Sequence, residues 1–461
     1  MIEPTNSAAP PDHAQSDDLF AGWETLGWRE RRERRIARWL EAGDIEFADE
    51  SVRAAYRERV QLIVDAVDLK KPARVPLVPQ MGFYPARYGG LTVKESMYDY
   101  DALASAWWRY HEDFLPDVQA DPGLPGAAFD LIDSKFISWP GHGTEDDTPW
   151  QYVESEYMRP EEYDALIADP SAYFMRVLLP RFAKGFEPLA ALDPFTDFVE
   201  AATLPYGLIP FADPAVVEAI ERLAEAGRAT QEFLKAMGEM STDVAARLGL
   251  PVPFSGLVKA PYDVLADTLR GTRGIVMDRY RRPEKILAAA ERLVPLQIDA
   301  GVRQVAAAES PFMFIPLHKG ADGFMSDADF REFYWPTLKA LVQGLIAEGI
   351  VPVLFAEGGY NERLSVIADD EIPLASVVWW FDATDMAAAK RALGGYACIC
   401  GNVPGALLAV GTAARVETYV SELLDAIAPG GGFMLGTGTV VDDATPETLR
   451  AMLETGRAWR G

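Results

Sequence analysis

The sequence predicts an α/β protein: a (β/α)8 barrel of the TIM type with an N-terminal helical extension. Three observations predict it. Short apolar runs alternate with helical stretches repeatedly through the last third of the chain, which is the grammar of a parallel sheet with helices outside. Each run ends in a polar group, as barrel strands do where their C-terminal ends meet the loops that carry chemistry. Glycine-rich phosphate turns of the form GxGxxG or GxxxxGKS/T are absent, which disfavours an open nucleotide-binding sheet.

The elements follow in order. Residues 1–18, rich in Pro, Ala, Ser and Asp, have little to bury and are expected to form a disordered tail that includes His13. Residues 19–68 carry aromatic and aliphatic side chains at helical spacing ("LFAGWETLGW", "IARWL", "YRERVQLIVDAV") and predict helices packed across one end of a domain. The basic run "RERRERRIAR" within them, interleaved with Glu30 and Glu33, reads as a solvated helix face. The barrel should occupy 69–461, beginning with the proline-bounded run "ARVPLVP" at 73–79. From about 100 to 250 helices dominate, joined by Pro- and Gly-containing loops such as "WPGHGTEDDTPW". Then "FMFIPL", "VPVLFA", "VVWWF", "YACIC" and "GGFML" each precede a helix, over 327–349, 360–369, 385–393, 412–427 and 446–459.

These runs deliver His318, Lys319 and Asp322, then Glu357, Asp382, Asn402 and Thr437, to one face. Strand alternation puts Val353, Phe355 and Glu357 on one side, with Trp380 and Asp382, and Cys398, Cys400 and Asn402, grouped likewise. Glu357 carries the strongest signal. A carboxylate ending an apolar strand is costly unless paired, protonated or bound to a cation, and Gly358 and Gly359 leave room for an approaching group. A general acid, an anchoring acceptor or a metal ligand would each satisfy it. His318 and His142, the latter between two glycines beside Trp139, are its candidate catalytic helpers, whereas His111 in "WWRYHEDF" reads as helix packing. Asp382, Asn402 and Thr437 are candidate substrate-binding residues, Asp382 and Asn402 reading equally as helix caps or loop braces, and Lys319 and Asp322 as a rim pair. Phe83, Tyr84, Trp379 and Trp380 are candidate walls of an apolar substrate pocket. A metal set, zinc above all, would draw on Glu357, His318, His142 and Cys400, although buried cysteines are more often apolar fillers.

Charge narrows the partners. With 43 Lys plus Arg against 70 Asp plus Glu, the net charge of −27 opposes nucleic acid and anionic membranes and suits an acidic protein with a small-molecule substrate. Two cysteines two residues apart exclude an intrachain disulfide framework. No run reaches the roughly 18 apolar residues of a membrane span, and a secretory start is absent, so a cytoplasmic location is expected. A homodimer is compatible with all of this.

The stretches "RVPLVPQMGFYPARY", "DADFREFYWPTLKALVQGLIAEGIVPVLFAEG", "DATDMAAAKRALGGYACICGNVPGALLAVGTAARV" and "GGFMLGTGTVVDDATPETLRAM" together resemble the uroporphyrinogen decarboxylase superfamily. That group also contains methyltransferases working between a corrinoid protein and a thiol, and the resemblance spans about 70–461. It implies the same barrel. Two departures point away from porphyrinogen decarboxylation: the arginine-rich "RQAGRY" loop reads "PQMGFYPARY" here, and "GHG" near the last strand reads Gly436, Thr437, Gly438. At the zinc positions of the thiol-activating methyltransferases the chain matches Phe355, Glu357 and Thr437. The resemblance therefore implies a branch close to corrinoid-dependent methyltransferases. Its expected reaction is methyl transfer or O-demethylation between a small ether-type substrate and cobalamin on a partner protein. Alternatives are a decarboxylase or lyase on an organic acid, gripping it through Arg87, Lys319 or Lys259, and a binding barrel without catalysis.

Overall fold

Six parallel strands lie side by side in chain order: Gly256–Leu257, Phe312–Leu317, Val351–Ala356, Val378–Phe381, Cys398–Val403 and Phe433–Thr437. In this computed structural model, which describes residues 20–121, 123–193 and 200–461, two extended segments close the sheet into a ring. Val78 donates its N–H to Leu435 and Leu435 donates to Pro76, so segment 75–79 pairs with the last strand. Asp117 donates to Leu77 and Gln119 to Pro251, which carries segment 117–119 across to the start of the sheet. The barrel expected from the alternating runs is thus present with its eight staves. The tail expected at 1–18, with His13, lies outside the described residues.

The period-two pattern sorts the side chains as a parallel barrel requires. Val353, Phe355, Val378, Trp380, Cys398, Cys400 and Met434 pack into the interior, while Leu354, Trp379, Phe381, Ile399 and Leu435 pack against the outer helices. Trp379 therefore meets Trp335 of the helical layer, with ring centroids 6.3 Å apart, and does not line a pocket in the barrel.

The N-terminal extension forms the floor. Helices α1 (Trp28–Glu41) and α2 (Glu50–Val67) place Trp39, Ile63 and Val67 among the interior side chains, with the Trp39 ring 5.4 Å from Phe312. Burying an aromatic ring of this size stabilises by about 3 kcal/mol. The basic run is not a solvated face. Arg31 bonds the Ala347 carbonyl and Glu348, Arg35 the Glu348 carbonyl, Arg32 pairs with Asp68 at 2.6 Å, and Arg38 with Glu309. The arginines reach carbonyls left open at the C-terminal end of helix Trp335–Ala347, where cations are favoured. Interleaved glutamates concealed this in the sequence.

Between 121 and 250 lies a long insertion after the second stave. It contains the 35-residue helix Pro214–Leu248 and a small sheet of Ile137–Pro140, Gly143–Thr144 and Gln151–Tyr152. The small sheet roofs one side of the mouth: Lys94 pairs with Asp146 and Arg87 with Asp147 on one flank, while Tyr152 donates to the Asp267 carbonyl on the other. His111 packs as expected. It is fully buried, its Nε2 accepts the Ala120 N–H at 2.9 Å, and burial lowers its pKa to about 3.

Candidate active site at the barrel mouth

The register pairs Leu317 with Ala356, so the next residues, His318 and Glu357, leave two neighbouring strands side by side. Alternation from Phe314 and Phe355 aims both side chains at the barrel axis. His318 Nε2 stands 3.6 Å from Glu357 Oε1, and His318 Nδ1 stands 2.6 Å from Asp267 Oδ2. The imidazole is therefore held between two carboxylates. Burial disfavours its charge, but Asp267, Glu357 and Asp263 more than offset this and raise His318 to about 10. It is an imidazolium across the physiological range.

Asp263 and Asp267 come from "KAPYDVLADTLRG", the helix that follows the third stave. Pro261 opens it, and the turn then widens to π geometry over Val264–Leu269, a variation frequent at functional sites. Asp263 accepts the backbone N–H groups of His318 and Lys319 and the Tyr334 hydroxyl, fixing the end of the neighbouring strand. Desolvation and the nearby Asp267 push its carboxyl above the usual range. Asp267 is likewise desolvated, yet bonds from His318 and Lys259 hold it below the usual range. Lys259 Nζ reaches it at 2.9 Å and Lys319 Nζ at 3.4 Å. Lys319 also donates to Thr272, so it does not form the rim pair expected with Asp322, which lies 3.6 Å from Arg363 instead.

Glu357 differs from its sequence expectation in one respect. Its side chain is 43% exposed at the mouth, not sunk in the apolar strand, and His318 faces it. Gly358 adopts a left-handed φ of 79° and donates its N–H to Asp382 Oδ2, which turns the chain sharply after Glu357 and leaves the carboxylate open. Burial raises Asp382 above the usual carboxylate range. Asp121 follows the second stave. It is exposed and accepts the Gly123 N–H, while desolvation raises its carboxyl above the usual range.

Other candidates have different surroundings. Asn402 donates both amide hydrogens to the carbonyls of Asp382 and Thr384 and accepts from Tyr419. Thr437 is fully buried, donates to the Thr439 carbonyl and accepts the Gln80 N–H. Both hold the mouth's backbone together, with their polar atoms occupied. Tyr84 is buried against Tyr110 and Phe114, and Phe83 against Val93 and Trp139, so of the expected aromatic walls Trp380 faces the barrel interior. His142 stacks on Trp139 and pairs with Asp130 at 2.8 Å on the roof. Arg87 is engaged by Asp147 and the Asp442 carbonyl.

The metal set does not assemble. Among the described residues no three His, Cys, Asp or Glu side chains converge to hold a metal ion. Cys400 is fully buried and desolvation pushes its thiol well up, while Phe355 and Thr437 supply no competent donors at the positions where the resemblance would put zinc ligands. The residues present do not fit zinc.

A sequence model of uroporphyrinogen decarboxylase (URO-D) matches residues 196–459, more than half of the chain, and the protein belongs to that family. Among curated relatives, the uroporphyrinogen decarboxylase of Sodalis glossinidius is 27% identical over 215 residues, 44% of this chain and 58% of that enzyme. That of Aromatoleum aromaticum is 25% identical over 226 residues, 46% and 60% of the two chains. The chain thus spans somewhat over half the length of these relatives. A solved methyltransferase from Methanosarcina mazei superposes with a TM-score of 0.55 at 17% identity, covering 86% of this chain and 97% of that one. That likeness is one of fold.

Proposed function

We infer that the protein is a methyltransferase that removes a methyl group from a small ether-type substrate, with His318 as proton donor to the departing oxygen. The observation that carries this is the Asp267–His318–Glu357 clamp at the C-terminal end of the strands. An oxygen leaving as alkoxide or phenoxide needs a proton, and an acid works best when its pKa approaches that of the group it protonates. A histidine raised to about 10 is matched to a phenol or weakly acidic alcohol, and remains charged until the bond breaks. At 3.6 Å from Glu357, Nε2 is beyond hydrogen-bond distance, so its proton is free to meet an ether oxygen at the open mouth above the pair.

In the reaction the carbon–oxygen bond breaks, the oxygen keeps its electron pair, and Nε2 gives it a proton. Asp267 holds the opposite nitrogen, so the neutral ring that results keeps its proton on Nδ1 and its orientation. A corrinoid on a partner protein would be the acceptor and would supply a strong cobalt nucleophile for the methyl carbon. His318 and Glu357 are 34% and 43% exposed, which suits a partner approaching the open mouth.

A second reading, decarboxylation of an organic acid, is favoured by the family and by Lys259 and Lys319 beside His318. The two readings separate in one experiment. Purified protein is incubated with reduced cobalamin and a panel of methyl ethers, and in parallel with carboxylated candidates. Cobalt methylation, followed by absorbance, supports methyl transfer; carbon dioxide release without it replaces that reading with decarboxylation.

A further inference from the structure

Helix Pro214–Leu248 carries two repeats on opposite faces. Ala219, Ala226, Phe233 and Met240 recur at sevens and are buried, with the Phe233 ring 5.5 Å from Tyr100. On the other face Val217, Ala224, Gln231 and Gly238 also recur at sevens, with Ile220, Gly227 and Leu234 between them, and all of these are exposed. Steps of three and four sustained over three heptads are the pattern of a seam that another helix covers. Ile220 and Leu234 are 39% and 60% exposed, where a solvated helix face would carry polar groups. Glycine weakens a helix interior, yet Gly227 and Gly238 both fall on this seam. Among the described residues, nothing comes within 4 Å of where a side chain would begin at either. Their smallness therefore serves no packing among the described residues.

We propose that this face is an interface between two copies of the chain, with the helices antiparallel about a two-fold axis at Ala229. The seam is complementary to itself in that arrangement. Ile220 of each copy meets Gly238 of the other, Leu234 meets Ala224, and Gln231 meets Gly227, so each long side chain faces a short one. A parallel pairing would instead set Leu234 on Leu234 and Gly227 on Gly227. The flanking charges agree with the antiparallel choice. Glu221, Arg228 and Lys235 follow one another at sevens beside the seam, and the rotation brings Glu221 of each copy to Lys235 of the other. Lys235 is held loosely within its own chain, 3.9 Å from Glu239, and is 78% exposed. Arg228 nears its counterpart at the axis, where Glu225 and Glu232, one turn to either side, offset the like charges. Such an isologous two-fold contact is the commonest form of homo-oligomer. It uses neither His318 nor Glu357 and stands whether or not the reaction proposed above is correct.

Sedimentation velocity of the full chain over a range of concentrations tests the interface. The wild type is expected to be a dimer that dissociates on dilution. Gly227→Arg, which sets a long charged side chain on the seam, should be a monomer with an unchanged circular dichroism spectrum. Ala224→Leu opposes two leucines and should weaken the dimer roughly tenfold or more. Ala224→Leu combined with Leu234→Ala should restore it, because the long and short partners have exchanged places. Glu221→Lys combined with Lys235→Glu should likewise pair more tightly than either reversal alone. A wild type that stays monomeric at every concentration overturns the proposal, as does a dimer that persists in Gly227→Arg. A double exchange no tighter than Ala224→Leu alone overturns the antiparallel arrangement.

Discussion

His318 Nδ1 lies 2.6 Å from Asp267 Oδ2, and the same carboxylate is met by Lys259 Nζ at 2.9 Å and Lys319 Nζ at 3.4 Å. One buried carboxylate thus organises three cations beneath the mouth. Removing it should do more harm than removing any one of them. Asp267→Asn leaves charged groups without their partner and is expected to destabilise the fold by about 3 kcal/mol. Urea unfolding checks this, and a loss under about 0.5 kcal/mol, the range of ordinary surface substitutions, would contradict the role.

Proton donation by His318 predicts a division of effects between two variants. His318→Gln should lower kcat for methyl transfer by roughly 10²–10⁴, the usual contribution of a positioned acid. Glu357→Gln should lower it less while moving the His318 titration downward, because Glu357 acts partly through the imidazolium. Steady-state kinetics on both variants measures this, and full activity in His318→Gln would exclude the role.

The pH dependence of stability has a definite sign. His318 is raised to about 10 in the fold from an ordinary value of 6.5, so its contribution is complete below about pH 6.5 and is lost as pH rises towards 10. Asp267 is depressed, so its contribution is present above the ordinary carboxylate range and is lost as pH falls below it. Urea midpoints of the wild type should fall more steeply between pH 7 and 10 than those of His318→Gln. Parallel curves would contradict the raised value.

Trp39 ties the N-terminal extension to the barrel floor. Trp39→Ala should cost about 3–5 kcal/mol, as for a large buried aromatic, and unfolding should remain a single transition. A separate early transition for the extension would show that it folds apart from the barrel.

Cys398 and Cys400 are fully buried, and desolvation raises both thiols. Neither should react with a thiol reagent until the protein unfolds. Rapid labelling of the native chain would contradict the packing of the interior.

Much of this was legible in the sequence, and what was hidden has physical reasons. The strands "FMFIPL" and "VPVLFA" are continuous apolar runs ending in lone polar groups, so both the elements and the pairing of His318 with Glu357 at one face could be read from them. Asp263 and Asp267 escaped notice because the stave before them, Gly256–Leu257, is too short to show a period, and their spacing of four is ordinary for a solvated helix. Asp121 follows a segment that joins the ring through single backbone bonds and carries no strand pattern. Asn402 and Thr437 occupy strand ends like the others, but only the fold shows that backbone groups consume their hydrogen-bonding capacity.

The charge state of His318 bears the chemical account, and it can be measured without knowing the substrate. A nitrogen-15 NMR titration of the imidazole in the intact chain reports both ring nitrogens. Protonation of both from pH 6 to beyond pH 8.5, with deprotonation near 10, is the expected result. Titration near the ordinary value of 6.5 would mean that the two carboxylates do not hold an imidazolium, and the proposed proton donor would be lost.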